Sequence, residues 1–345
     1  MVYQLAKELQ MNGYVKNGND GVHVFFNGSE EVANSFFRKI KLSVPLQARI
    51  ISSQLQKTNA LEFDEFSIVV EEDDCVKNVL ISPDKAICEN CRNELYDITN
   101  RRYRYPFITC TQCGPRYSIM ESLPYERHRT SMQKLAMCEN CNDEYNNVSD
   151  RRFFSQTNSC DACGIKLSIY ENASSILSKN SEEVLQHTRN LLLQGKILAL
   201  KGIGGYLLLC SADNAETIQL LRKRKRRPSK PFAVLYPDLE TIRNNFELSE
   251  KEQSLLGSPE APIVLLYAKQ LAFNNIDIKN IAPRLKRVGV MVPYSPLLEL
   301  IAKDYSMPLI ATSANVSGSP IIYKDEEAVA WLFGIADYIV SYNRD

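Results

Sequence analysis

Residues 88–119 read CENCRNELYDITNRRYRYPFITCTQCGPRYSI, and residues 138–169 read CENCNDEYNNVSDRRFFSQTNSCDACGIKLSI. The second stretch repeats the first at an offset of 50, so that Arg101-Arg102-Tyr103 falls on Arg151-Arg152-Phe153. In each, 18 residues separate two C-x2-C pairs, and 24 separate Cys113 from Cys138. C-x2-C-x18-C-x2-C is zinc-ribbon spacing, and here it occurs twice. Four soft thiolates around a tetrahedral Zn2+ leave no position for water, so such a metal is structural. The pattern predicts two zinc ions, one on Cys88, Cys91, Cys110 and Cys113, the other on Cys138, Cys141, Cys160 and Cys163. A module this small has little core, and metal binding of roughly 10–16 kcal/mol per site supplies its folding energy. A disulfide framework suits small exported domains, and nothing in the sequence indicates export. Cys75 and Cys210 have no spaced partner and are expected to be buried small hydrophobes.

Around this block the chain is ordinary globular material. It has 345 residues, 44% hydrophobic and 24% charged. At ~150 residues per domain that suggests two or three domains. Lys and Arg total 41, as do Asp and Glu, so any anion site must come from local charge. No apolar run approaches the ~18 residues of a membrane helix, and MVYQLAKELQ lacks a signal pattern. A cytoplasmic protein without a membrane partner is the expectation.

Three blocks emerge. Residues 1–80 form a small α/β unit, with helices over Val2–Met11 and Glu30–Lys41, a GYVKN turn, and strands over Gly21–Phe26 and Glu62–Val70. The acidic run Glu71–Asp74 and Ser82-Pro83 mark its exit. Residues 84–170 are the tandem four-cysteine block. The polar stretch Ile169–Ser181 reads as a linker or edge loop. Residues 180–345 are α/β, with a helix from Ser181 to Gln194 stopped at Gly195. Strands are expected at Ile197–Leu200, Tyr206–Cys210, Pro231–Tyr236, Ile263–Tyr267 and Leu309–Ala311, and a helix from Asn214 to Arg222.

This last block holds the candidate chemistry. Arg222 to Arg227 are six adjacent cations, with Lys230 just beyond. They end a helix, where the dipole favours them, and the apolar strand PFAVLY follows and would anchor Lys230. Cations held rigidly suit phosphate, while Arg222 is expected only to solvate the helix. Gly202-Ile203-Gly204-Gly205 is either a phosphate-approaching loop or a tight turn. Thr312-Ser313-Ala314-Asn315, followed by Ser317-Gly318, is a polar loop at a strand end, where α/β sheets bind ligands. The three histidines, His23, His128 and His187, are scattered, so no Ser-His-Asp set exists.

Taken in order, KGIGGYLLLCSADN, LRKRKRRPSKPFAVL, SPEAPIVLL, IAPRLKRVGVMVPYSPL and LIATSANVSG resemble a YrdC-like domain. The cysteine block with RRYRYPF and CTQCGP resembles the zinc fingers of the HypF hydrogenase-maturation carbamoyltransferase family, and VYQLAKELQMNGYVKNGNDGVHVFFNG its acylphosphatase-like domain. The resemblance covers essentially the whole chain. It implies a multidomain α/β protein: a partial acylphosphatase-like α/β sandwich, the tandem fingers, and a twisted YrdC-like α/β sheet. It implies hydrolysis of carbamoyl phosphate to carbamate, adenylation of carbamate by Mg2+-ATP, and transfer from carbamoyl adenylate to the terminal cysteine of a HypE-like acceptor. It places ATP contacts on Lys225, Arg227, Ser313 and Asn315, with Lys225 and Arg227 catalytic and Lys201 and Lys230 contributing. It marks Asn17 as the acylphosphatase asparagine, without the family's preceding arginine, first strand and phosphate loop, so acylphosphatase activity is not expected of this chain. The transferase domain is expected to be absent. The second finger also departs from the family's histidine and proline over Arg152–Thr157. Two rival readings stand beside this one. The first is a YrdC/Sua5-type threonylcarbamoyl-adenylate synthase for tRNA modification. The second is a zinc-ribbon module in which the basic run contacts RNA, with Tyr103, Tyr105 and Phe107 beside Arg101, Arg102 and Arg104 supplying stacking and phosphate contacts. Generic YrdC resemblance adds double-stranded RNA as an implied partner.

Overall fold

The computed structural model of the chain describes residues 1–18, 20–44, 48, 50–58, 62–69, 82–315 and 318–344, apart from the side chains of Phe273 and Asn274. Cys75, the acidic run 71–74 and Ser317 fall outside the described residues. Residues 1–81 and 82–345 form separate compact units.

The first unit runs α1 (Val2–Glu8), β1 (Gly13–Gly18), β2 (Gly21–Phe26), α2 (Glu30–Leu42) and β3 (Phe66–Val69). Its sheet has the order β2-β1-β3, with β1 antiparallel to β2 and parallel to β3. The expected GYVKN turn is strand β1. Tyr14 and Val15 are strand formers, and pairing continues until Gly18 faces Gly21. Phe36 of α2 and Phe66 of β3 are buried with Ala6 and Met11 in its small core.

In the second unit, helices α3 (Glu89–Tyr96) and α4 (Glu139–Asn146) open the two cysteine repeats. Strands β4 (Leu167–Asn172) and β5 (Ser175–Ser178) follow, then α5 (Ser181–Leu193), β6 (Leu198–Gly202), β7 (Gly205–Ser211), α6 (Ala215–Arg224) and β8 (Ala233–Leu235). After α7 (Leu239–Asn245) and α8 (Glu250–Leu256) come β9 (Val264–Tyr267), the one-turn helices α9 (Ala272–Asn275) and α10 (Ile278–Ile281), and β10 (Arg287–Met291). The chain then forms α11 (Pro296–Tyr305), β11 (Leu309–Ser313), α12 (Asp325–Trp331) and β12 (Tyr338–Tyr342).

One nine-stranded sheet results, ordered β5-β4-β12-β6-β7-β11-β8-β10-β9. Only β12/β6 and β8/β10 are parallel pairs. The expected linker over Ile169–Ser181 is instead the β4–β5 hairpin at one sheet edge, recruited because β4 pairs with β12. Both β12 and β10 lie inside the sheet, and neither stands out in sequence. Five-residue strands lack a decisive period, and Gly289 inside β10 argues locally against a strand. A Cβ at Gly289 would meet Ile263 at 3.0 Å, so the glycine permits a close approach there.

Alternation along β6 sends Leu198 and Leu200 to one face, Ile197 and Ala199 to the other, and both faces are buried. The first face packs on α5, α11 and the cysteine block, whose Leu95, Tyr105, Ile108 and Ile165 belong to the same core. The second packs on α6 and α7. Gly195 stops α5 as expected: at φ +71° its N–H bonds Leu192, while Lys196 bonds Leu191.

Candidate metal centres and nucleotide site

Each repeat begins with a cysteine in extended backbone, Cys88 or Cys138, at the cap of α3 or α4. Three residues on, Cys91 or Cys141 sits in the first helical turn, and Cys110/Cys113 or Cys160/Cys163 close from a tight turn. In the first tetrad Sγ atoms lie 3.7 Å (Cys88–Cys110), 3.8 Å (Cys110–Cys113) and 3.5 Å (Cys91–Cys113) apart. In the second the corresponding separations are 3.7, 3.8 and 3.7 Å. A tetrahedron with Zn–S near 2.3 Å has S–S edges of about 3.8 Å, so both tetrads fit zinc. Each repeat completes its own tetrad, as the spacing predicted.

The paired arginines cross between repeats. Arg101 of the first points its Nη1 and Nη2 at Cys141 Sγ (3.5 and 3.3 Å), and Arg102 donates to Glu144 and, through Nε, to the Ser159 carbonyl at 2.9 Å. Arg151 of the second points its Nη1 and Nη2 at Cys91 Sγ (both 3.4 Å), and Arg152 bonds Glu94 and, through Nε, the Thr109 carbonyl at 3.0 Å. Burial opposes ionisation of Glu144, but Arg102 and Arg101 outweigh it and bring its pKa down to about 2. Arg104 is tied to Glu182 and Asp304, Tyr105 is buried, and Phe107 packs 4.9 Å from the Tyr342 ring. Of the groups invoked for RNA contact, these are engaged internally, while Tyr103 is exposed.

The basic run does not form a uniform patch. Helix α6 ends at Arg224, and Arg226 takes φ +51° while Arg227 N–H reaches back to the Arg222 carbonyl. That is the left-handed helix stop usually made by glycine, and nothing in six cations announces it. It separates the side chains. Arg222 is buried, not solvating: it donates to the carbonyls of Asn280 (2.7 Å), Arg227 (2.7 Å), Lys230 (3.2 Å) and Ile281 (3.1 Å). Arg224 pairs with Asp337 at 2.8 Å, and Lys223 and Arg226 are exposed. The Lys230 side chain is exposed too, and only its carbonyl is anchored.

Lys225 is buried and spends all three ammonium donors on the strand-end loop: Ser313 carbonyl (2.5 Å), Asn315 carbonyl (2.9 Å) and Asn315 Oδ1 (3.0 Å). Ser313 Oγ also donates to Asn315 Oδ1 at 2.8 Å, and Asn315 Nδ2 donates to the Ser319 carbonyl at 2.6 Å. Burial, then Arg227 and Lys230, lower the Lys225 pKa from its ordinary 10.5 to about 8. Arg227 donates to the Lys230 carbonyl (3.2 Å), the Pro231 carbonyl and Thr312 Oγ1 (3.0 Å), which leaves two of its five donors. Burial and Arg222 lower its pKa. The structure thus brings Lys225 and Arg227 to one sheet end with Ser313 and Asn315, 86–90 residues on in sequence. Thr312 and Phe232, whose ring lies 4.5 Å from the Arg222 guanidinium and 4.9 Å from that of Arg227, join them.

Lys201 is buried at the end of β6 and already paired, with Asp325 at 2.7 Å and the Arg344 carbonyl at 2.8 Å. The glycine loop is the β6–β7 hairpin turn, with Gly202 opposite Gly205 and Gly204 at φ +77°. Cys210 is fully buried in β7, and burial pushes its thiol up. In the first unit Asn17 is exposed on β1, opposite Val22. Among the described residues no helix is long and apolar enough to cross a membrane.

Comparison with known proteins agrees with this modular order. Residues 1–68 match the family model described as "Acylphosphatase", residues 87–120 and 137–170 "HypF finger", and residues 190–345 the Sua5, YciO and YrdC family described as "Telomere recombination". Carbamoyltransferase HypF of Synechocystis is 42% identical over 99% of this chain and 44% of its own length. A crystal structure of full-length HypF in the phosphate- and nucleotide-bound form superposes with a TM-score of 0.87 at 38% identity, over 100% of this chain and 44% of that one. A threonylcarbamoyl-AMP synthase of Vibrio campbellii is 27% identical over 43% of this chain, which leaves that rival reading distant and partial. The chain spans less than half the length of the HypF relatives it matches. With all three modules matched in order and 42% identity along nearly its entire length, the chain belongs to the HypF carbamoyltransferase family.

Proposed function

We propose that residues 180–345 form an ATP site that adenylates carbamate, within a HypF-type carbamoyltransferase of [NiFe]-hydrogenase maturation. Residues 84–170 would be the finger block, with one structural zinc per tetrad, and residues 1–80 the acylphosphatase-like module. The observation that carries this reading is the convergence of Lys225, Arg227, Ser313 and Asn315 at one sheet end. ATP would enter with Mg2+ as counter-ion. A carbamate oxygen attacks the α-phosphorus, the bond to the bridging oxygen of the β-phosphate breaks, and pyrophosphate leaves with its charge. Arg227 would turn its two spare donors on that charge, and a phosphate oxygen would replace Asn315 Oδ1 at the Lys225 ammonium. Lys225 thereby couples nucleotide to the 313–315 loop. Lys201, being ion-paired, would act through Asp325 or after exchanging partners. Carbamoyl adenylate then serves a HypE-like acceptor in the full-length protein. The deciding test is carbamate-dependent ATP–pyrophosphate exchange. Exchange with carbamate supports the reading, and exchange only with threonine and bicarbonate would favour the threonylcarbamoyl-adenylate reading.

A pH dependence follows from Lys225. Its protonated form holds the polyanion, and ATP stabilises that form, so the free protein loses the charge first as pH rises through about 8. ATP Kd is expected to be flat below pH 7.5 and to rise above pH 8, by up to about tenfold per pH unit. Titration calorimetry from pH 7 to 9.5 measures this, with Lys225→Met expected to flatten the profile. A flat wild-type profile would remove Lys225 from phosphate binding.

A further inference from the structure

A zinc centre made of four thiolates carries two net negative charges, and burying it requires compensating donors. Within its own repeat each tetrad is flanked by a glutamate, Glu94 or Glu144, which adds to the negative charge instead of cancelling it. The guanidinium donors that reach thiolate sulfur come from the other repeat. Arg151 lays two guanidinium donors against Cys91 Sγ at 3.4 Å and meets Glu94 Oε2 at 2.7 Å. Fifty residues earlier, Arg101 lays two donors against Cys141 Sγ at 3.5 and 3.3 Å and meets Glu144 Oε2 at 2.7 Å. Arg152 and Arg102 repeat the exchange deeper inside, each also fixing a backbone carbonyl just before the opposite closing cysteine pair, Thr109 or Ser159. The central contacts obey a two-fold exchange: thiolate, glutamate and backbone carbonyl in one half map onto their counterparts in the other, while Asn158, which accepts from Arg102, has Ile108 at its matching position.

We propose that the two zinc centres are one crossed unit, in which Arg151 and Arg152 of the second repeat hold the first repeat's metal thiolates in place, and Arg101 and Arg102 of the first hold the second's. These arginines are positioning residues for the metal ligands. Hydrogen bonds to thiolate sulfur orient the ligand and draw charge from it, which slows its protonation and attack by competing reagents. Neither repeat supplies its own guanidinium donors to thiolate sulfur: Arg116 of the first repeat reaches the Cys110 and Cys113 carbonyls, and the donors to Cys91 and Cys141 Sγ come from the other repeat. The tandem duplication thus supplies each tetrad with donors to its sulfur as well as with core.

The inference rests on the tetrads binding zinc, and zinc content of the wild-type protein tests that separately. About two ions per chain satisfies it. Absence of zinc would end the metal reading before any arginine is changed. The crossing is then tested on the zinc-loaded 345-residue chain by following zinc release to a chelator, with iodoacetamide trapping and peptide mapping to assign each freed cysteine. Arg101 and Arg151 are the positions to change, because they are part-exposed whereas Arg102 and Arg152 are buried. Arg151→Ala is expected to speed release from Cys88, Cys91, Cys110 and Cys113 by about 10- to 100-fold, leaving the tetrad of its own repeat within about threefold of wild type. Arg101→Ala is expected to give the mirror image. Arg151→Lys keeps charge without the fork, should an alanine variant misfold, and is expected to show the same site preference at smaller amplitude. Faster loss from the mutated repeat's own tetrad, equal loss from both, or no change at either would overturn the proposal.

Discussion

Cys110→Ser is expected to lower zinc content from two ions per chain to one or fewer and to unfold far more than its own repeat. A closed site of four cysteines has no spare ligand, so losing one thiolate removes most of a metal contribution on the order of 10 kcal/mol. That is comparable with the whole stability of an ordinary domain, about 5–15 kcal/mol. Sequence spacing alone would confine the damage to residues 88–113. The structure extends it in two directions. Cys110 is buried in the same core as Leu95 and Ile108, which also contains sheet strand β6 and helices α5 and α11. The crossed arginines then carry the disorder to the second tetrad, whose ion is expected to become labile. Elemental analysis with a thermal melt measures both effects. Cys210→Ser is the matched control, another fully buried cysteine but a member of neither tetrad, and it is expected to keep two zinc ions with a loss of about 1–3 kcal/mol. Metal-free protein that keeps its melting transition under reducing conditions would show that the fold does not depend on the metal.

The second large effect is expected at Arg227. Replacing it with alanine removes the two free guanidinium donors nearest the strand-end loop and the bond to Thr312 Oγ1. A charge-assisted contact is worth roughly 1.5–3 kcal/mol, so ATP binding or pyrophosphate exchange should fall about ten- to a hundredfold. Lys223, exposed in the last turn of α6, is the control, and Lys223→Ala should stay within about twofold. Arg222 cannot serve as that control. Its guanidinium bonds carbonyls in the 227–230 and 280–281 segments, so Arg222→Ala should cost on the order of 3 kcal/mol of stability and lower ATP affinity only as the loop loosens. Equal losses at Lys223 and Arg227 would indicate a diffuse basic patch and favour nucleic acid over nucleotide.

The metal centres were legible in the primary sequence, because a C-x2-C pair already fixes two thiolates within reach of one ion and the offset of 50 pairs them. The α5 stop at Gly195 was equally legible, since glycine alone takes a left-handed turn without strain. Other features depended on partners distant in the chain. Six consecutive cations look equivalent on paper. Their division into a loop strut (Arg222), a helix tie (Arg224), a loop clamp (Lys225) and an anion candidate (Arg227) follows from the turn at Arg226 and from carbonyls 58 to 111 residues away. Lys201 and Lys230 both carry the charge an ATP contact needs, but charge does not say whether a side chain is already paired, as Lys201 is, or left facing water, as Lys230 is. The paired arginines of the fingers read as RNA contacts for the same reason. Their partners are thiolates and a glutamate on the other repeat, and only the packing of two repeats against each other turns them inward. Local sequence thus determined the metal ligands, the glycine stop of α5 and most strands, where the physics acts within a few residues. Tertiary structure decided which charges are spent on the fold and which remain for a ligand, because that depends on burial and on acceptors contributed from far along the chain.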